Sequence, residues 1–143
     1  MSSFELKKYL QILNESESYH SLNDAGPDYS PGNTEIWYWK NEYGRDFMMG
    51  YKWITEHDIP FDVNNLTLTH ALIGKIAETD PETVFSLMQG EVWSPQGQAR
   101  GLLQSLDVGH TTMSTGDIIR LEKNLLMVDR MGFVNLANGE NIS

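Results

Sequence analysis

The amino-acid sequence predicts a single α+β domain, a mostly antiparallel sheet with short helices packed on one face. Three observations point there. The 143 residues suffice for one domain with its own core, and the chain carries no internal repeat, heptad series or low-complexity tract. Two segments, beginning at Asp80 and at Ser94, carry the start and stop residues of helices. The remaining apolar residues fall in short β-favouring runs divided by turn formers, most densely from Asp117 to Leu136. Within the one domain, spanning residues 1–143, the chain divides into an N-terminal helix and loop (1–35), an aromatic-rich segment (36–65) and a C-terminal part (66–136).

The elements follow in order. Ser2 and Glu5 stand at capping-box spacing, and Leu6, Tyr9, Leu10 and Leu13 recur at three- and four-residue intervals, which predicts an amphipathic helix over 3–14. Residues 15–33 are rich in Ser, Asn, Asp, Gly and Pro and predict a long loop. Ile36-Trp37-Tyr38-Trp39 favours a strand, Glu42 to Asp46 a turn, and Phe47 to Ile54 either a second strand or a helix. Leu66 to Ala77 is branched and alternating enough for a strand. The first clear helix has Asp80 as N-cap, Pro81 at its first position, Val84, Phe85, Leu87 and Met88 to bury, and Gly90 just past its end. The second repeats that grammar, with Ser94 as cap, Pro95 first, Leu102, Leu103 and Leu106 to pack, and Gly109 as its stop. From Asp117 to Leu136 a small antiparallel meander is expected, and the polar Asn138 to Asn141 should fray.

Composition restricts the function. Twenty acidic residues against ten basic ones leave a net charge of −10, spread along the chain, so direct binding to nucleic-acid phosphate is disfavoured. A surface that repels its own copies accounts for this acidity; the sharper alternative is an acidic mimic of a nucleic acid. The absence of cysteine excludes disulfides, thiolate metal sites and cysteine nucleophiles, and fits a cytoplasmic setting. No apolar run is long enough to span a bilayer, so no membrane partner is expected. The four histidines, at 20, 57, 70 and 110, lack ligand spacing, so no metal site is assigned, and no cofactor motif or Gly-x-Ser-x-Gly elbow is present.

The densest cluster of chemistry-bearing residues runs from Met88-Gln89-Gly90-Glu91-Val92-Trp93-Ser94-Pro95 to His110-Thr111-Thr112-Met113-Ser114-Thr115-Gly116-Asp117. Gly109 to Ile119, with Gly132-Phe133 downstream, resembles the YodL-like family of small domains, whose pattern is His-Thr-Ser-Met-Ser-Val-Gly-Asp, then a strand, then a terminal Gly-Phe. The block from Met88 to Arg100 is similar to one found beside that pattern in proteins of bacteriophages, plasmids and marine bacteria. The likeness covers about residues 66–136. Thr112 stands where Ser is expected, Thr115 where Val is, and Gln98 where Glu is, which speaks against a catalytic acid at residue 98. The resemblance implies an accessory role in mobile elements, including action against host defences. It brings no established activity, so no catalytic residue is carried over.

Two readings of the 110–117 segment follow. On one, its hydroxyls bond neighbouring backbone, Gly116-Asp117 is a turn entering a strand, Met113 fills the core and His110 bonds a carbonyl. On the other, its amides and hydroxyls cup an anion or nucleotide-like ligand, with His110, Thr111, Thr112, Ser114 and Asp117 as contacts. Trp93 and Arg100 are further candidates for that site: Trp93 as a staple or binding surface, Arg100 beside a helix N-terminus that Ser94 would otherwise satisfy. The aromatic run suits a core or a dimer seam. The absence of a catalytic motif favours a non-enzymatic interaction protein, with a protein partner or self-association, over a small-ligand binding protein or enzyme built on the 110–117 loop.

Overall fold

The computed structural model describes residues 32–97 and 99–142. The helix expected over 3–14 and all but the last two residues of the expected loop over 15–33 lie outside them, as does Gln98. The described residues form one six-stranded antiparallel sheet with short helices around it, the α+β architecture that the sequence predicts. Its strands are β1 (Thr34–Trp39), β2 (His70–Ile76), β3 (Ile118–Leu121), β4 (Asn124–Val128), β5 (Phe133–Asn135) and β6 (Glu140–Asn141). They lie in the order β2-β1-β3-β4-β5-β6, so the meander from β3 to β6 is extended by the two strands that precede it in sequence.

The helices are α1 (Gly44–Phe47), α2 (Tyr51–Glu56), α3 (Pro81–Leu87), α4 (Gly90–Trp93) and α5 (Arg100–Ser105). Strand side chains alternate between faces. Ile36 and Tyr38 of β1, Ile119 of β3 and Leu126 and Val128 of β4 join the core built with Val84, Leu87, Trp93 and Leu103 of α3, α4 and α5. The two helices expected from their caps therefore pack on one face. The opposite face is also covered: Trp37, Ile118 and Met127 pack with Phe47 of α1, Ile54 of α2 and Leu66. Burial on both faces fits the unbroken apolar run of β4, Leu125-Leu126-Met127-Val128. The segment 47–54, open between strand and helix in sequence, takes the helical course, broken at Gly50 (φ 99°).

Local signals succeed where the partner is near in sequence. Asp80 accepts the backbone N–H of Thr83 at 3.0 Å and Pro81 opens α3, as the cap pattern predicts. The second helix differs. Gly90 lies just past the end of α3, as expected, and also opens α4, which Ser94 closes by donating its N–H to the Gly90 carbonyl. The Ser94 hydroxyl accepts the Ala99 N–H at 2.9 Å, and the helix proper starts only at Arg100. The reason is Gly97, whose φ of 77° no right-handed helix accommodates. That helix ends before Gly109, with Asp107 in the left-handed region at φ 62°. Residues 66–68 form a 3-10 turn, so β2 begins at His70. The tail does not fray: Asn138 Oδ1 accepts the Glu140 N–H at 2.9 Å across a turn with Gly139 at φ 73°, and Glu140–Asn141 pair with β5.

Replacing the α3 cap, Asp80→Ala, is expected to cost about 1 kcal/mol. Urea unfolding at neutral pH should show the midpoint falling with an unchanged slope.

Candidate functional site

The segment from Gly109 to Asp117 joins α5 to β3 and runs across the end of β1. Its carboxylate, Asp117, is wholly buried. A buried carboxylate is costly unless hydrogen-bonded and paired. Asp117 Oδ1 accepts the backbone N–H of Trp39 at 2.9 Å, and Oδ2 accepts that of Ser114 at 2.9 Å. His110 Nε2 donates to both oxygens, at 3.0 and 2.8 Å. The imidazole is stacked between Trp39, at 3.8 Å between ring centroids, and Tyr38, at 4.7 Å. Burial raises the Asp117 pKa; the His110 hydrogen bond and charge, then the amides of Ser114 and Trp39, oppose it.

The residue before Asp117 is held by a second histidine. His70, at the start of β2 and opposite Trp39, has Nε2 at 2.8 Å from the Gly116 carbonyl. A carbonyl only accepts, so Nε2 carries the proton, and in the neutral ring Nδ1 accepts the Thr69 hydroxyl at 2.7 Å. Phe47 packs edge-on to the ring at 4.7 Å. Burial above all, with the His110 and Lys40 charges adding, lowers the His70 pKa to about 4, against the raising effect of the Gly116 bond. Gly116 itself has φ 94°, and a Cβ there would stand 2.5 Å from the Phe47 carbonyl oxygen, so this position requires glycine.

The other candidate residues are likewise engaged within the fold. The Thr111 carbonyl accepts from the Tyr38 hydroxyl at 2.8 Å and from Trp93 Nε1 at 2.9 Å. Thr112 Oγ1 accepts the Gly90 N–H at 2.8 Å, and the Ser114 hydroxyl donates to the Thr112 carbonyl at 2.8 Å. Met113 is buried in the core. Trp93 is fully buried, so it offers no binding surface. Arg100 is exposed on α5 and is not bonded to the 110–117 segment among the described residues. The helix N-terminus expected at Ser94 to Gly97 is a turn, which removes the anion site proposed beside Arg100. His110, Thr111, Thr112, Ser114, Asp117 and Trp93 thus come together, and Arg100 stands apart from their hydrogen bonds.

Thr115 contributes its carbonyl, which accepts from Trp39 Nε1 at 3.0 Å. Sequence reading missed His70, Thr69, Tyr38 and Trp39 as partners. They lie 46 or more residues from the groups they bind in this segment, apart from the adjacent Thr69–His70 contact, and spacing carries no trace of that.

Chemically, an Asp–His pair could serve as a general base through the ring nitrogen that faces away from the carboxylate. Here that atom, His110 Nδ1, is buried and has no hydrogen-bond partner among the described residues. Among the described residues no hydroxyl is hydrogen-bonded to it, the arrangement that would activate a nucleophile. Two of the larger surface cavities open elsewhere. One of about 580 Å³ is bordered by Lys40, Glu42, His70 and Asp107, the other, of about 520 Å³, by Met49, Trp53 and Met131. Among the described residues no cluster of three His, Asp or Glu could hold a metal ion, and no helix is long and apolar enough to cross a membrane. No family model matches the chain, nor does any curated protein or solved structure.

His70 makes stability pH-dependent in a definite sense. Its folded pKa, about 4, lies below the ordinary 6.5, so its contribution is complete above pH 6.5 and declines as pH falls towards 4. The slope is about 1.4 kcal/mol per pH unit at its steepest. The raised pKa of Asp117 acts oppositely, so urea titrations should compare the parent with His70→Phe, in which the His70 slope is absent. Asp117→Ala, which leaves the His110 ring and two amides facing no acceptor, is expected to cost about 3–5 kcal/mol in the same assay.

Proposed function

We propose that this chain is a non-enzymatic interaction protein, an accessory protein of a mobile element that acts through a protein partner. The observation that carries the reading is the use of His110, Ser114 and Asp117 inside the fold. Each is bound to the segment itself or to β1, and the ring nitrogen that would act in catalysis is buried. A pocket lined by all three would have favoured the rival reading, a small-ligand protein or enzyme; the two larger cavities described above are not lined by any of them. The mobile-element part of the proposal, with its possible form of action against host defences, rests on the YodL-like resemblance of residues 66–136. The charge of −10 fits a protein partner better than nucleic acid. Acidic mimicry would need carboxylates spaced along one continuous stripe, and the buried Asp117 is not available to one.

The test is capture from bacterial lysate by the tagged full chain, with His110→Ala alongside and both proteins and small molecules analysed. A protein retained at a fixed stoichiometry is the expected result. A metabolite bound by the parent chain and lost in a folded His110→Ala variant would overturn the proposal in favour of a ligand site.

A further inference from the structure

The turn between β5 and β6, Leu136-Ala137-Asn138-Gly139, holds the one Asn-Gly pair in the chain. An asparagine followed by glycine can react with its own main chain. The nitrogen of the next residue closes a five-membered ring on the side-chain carbonyl carbon, and glycine has no Cβ to obstruct the approach. Asn138 and Gly139 are both exposed, so water reaches the pair. The side-chain amide is oriented: Asn138 Oδ1 accepts the Glu140 N–H at 2.9 Å. A donor on that oxygen stabilises the charge that develops there when the carbonyl is attacked. The attacking atom, by contrast, is restrained. Gly139, at φ 73°, donates its N–H to the Asn135 carbonyl at 2.7 Å, so the proton that must leave is engaged. The same bond closes the hairpin in which β6 pairs only Glu140 and Asn141 with β5, followed by the bond from the Ile142 N–H to the Phe133 carbonyl at 2.8 Å.

We infer that Asn138-Gly139 is a self-modification site, closed while the β5–β6 hairpin is intact and opened when β6 leaves the sheet edge. In the reaction hydroxide takes the Gly139 amide proton and the nitrogen bonds to Asn138 Cγ. The bond from Cγ to the side-chain nitrogen then breaks, and ammonia departs with a proton taken from water. Water opens the resulting cyclic imide at either carbonyl. One product is aspartate with an unaltered main chain. In the other the main chain runs through the former side chain and is longer by one methylene. No oxidant or reductant takes part. The longer chain disturbs the register of Asn135 with Glu140 and of Val134 with Asn141, which frees β6, and both products add a negative charge beside Glu140. A two-residue strand at the sheet edge belongs to the part of a fold that opens most readily, so the hairpin controls the rate without abolishing the reaction.

The experiment incubates the full chain at mildly alkaline pH, in buffer and in unfolding urea. Peptide mass spectrometry separates parent, aspartate and lengthened-chain forms at each asparagine, and hydrogen exchange follows the Gly139 amide in parallel. In urea Asn138 should convert ahead of Asn124, Asn135 and Asn141. In buffer its conversion should be about fivefold or more slower, the weight of at least one hydrogen bond held closed. Asn141→Ala removes the bond from Asn141 Nδ2 to the Met131 carbonyl at 2.6 Å and leaves the reacting pair untouched. It should speed both Gly139 exchange and Asn138 conversion in buffer. Conversion at Asn138 no faster than at the other asparagines in urea would remove the site. Conversion in buffer as fast as in urea, or exchange accelerated by Asn141→Ala with conversion unchanged, would overturn control by the hairpin.

Discussion

The buried carboxylate of Asp117 is the constraint around which the rest of the structure is arranged. A charge with no access to water is tolerable only where several donors converge on it, and here they come from separate parts of the chain. Trp39 supplies one from the end of β1, Ser114 one from the linking segment, and His110 donates to both oxygens from the segment's start. Meeting that requirement fixes the path of residues 109–117 and the point at which β3 enters the sheet beside β1. His70 adds a neighbouring hold from β2 by binding the Gly116 carbonyl, so two consecutive residues are gripped by two histidines. Removing any one donor leaves the others aimed at an incompletely satisfied group, which makes the cluster cooperative.

Around that cluster the sheet separates two apolar layers. The larger lies between the strands and α3, α4 and α5, and the smaller is built by α1, α2 and the aromatic residues near them. The bulge between β1 and β2, where Ile36 faces Gly74 and Trp37 faces Leu72, leaves Ile73 as an extra buried residue of β2. Beyond it the register brings His70 opposite Trp39, which places the histidine beside the Asp117 cluster. Packing and polar pairing are therefore linked through strand register.

These relations change the meaning of the motif. A histidine, an aspartate and several hydroxyls within eight residues suggest chemistry, yet buried hydrogen-bond networks demand residue types as specific as catalysis does. His110 is restricted by stacking and by its carboxylate partner, Gly116 by its backbone and the nearby Phe47 carbonyl, and Thr112 by the amide of Gly90. The segment fastens β1, β2 and β3 together through these bonds.

By itself the sequence determined what short-range physics controls: one α+β domain, the Asp80–Pro81 start of α3, the strand content of the meander and a polar segment before β3. Each of these depends on residues a few positions apart, whose propensities and caps act whatever the rest of the chain does. The second helix shows the limit of that logic. Ser94 and Pro95 read as a start, but the Ser94 hydroxyl is taken by Ala99 and the left-handed Gly97 delays the helix to Arg100. Only the tertiary structure decided that His70 meets Gly116, that Trp39 meets Asp117 and that Trp93 is internal. Those pairings join elements far apart in the chain through the strand order β2-β1-β3, and residue spacing carries no record of which strands will become neighbours.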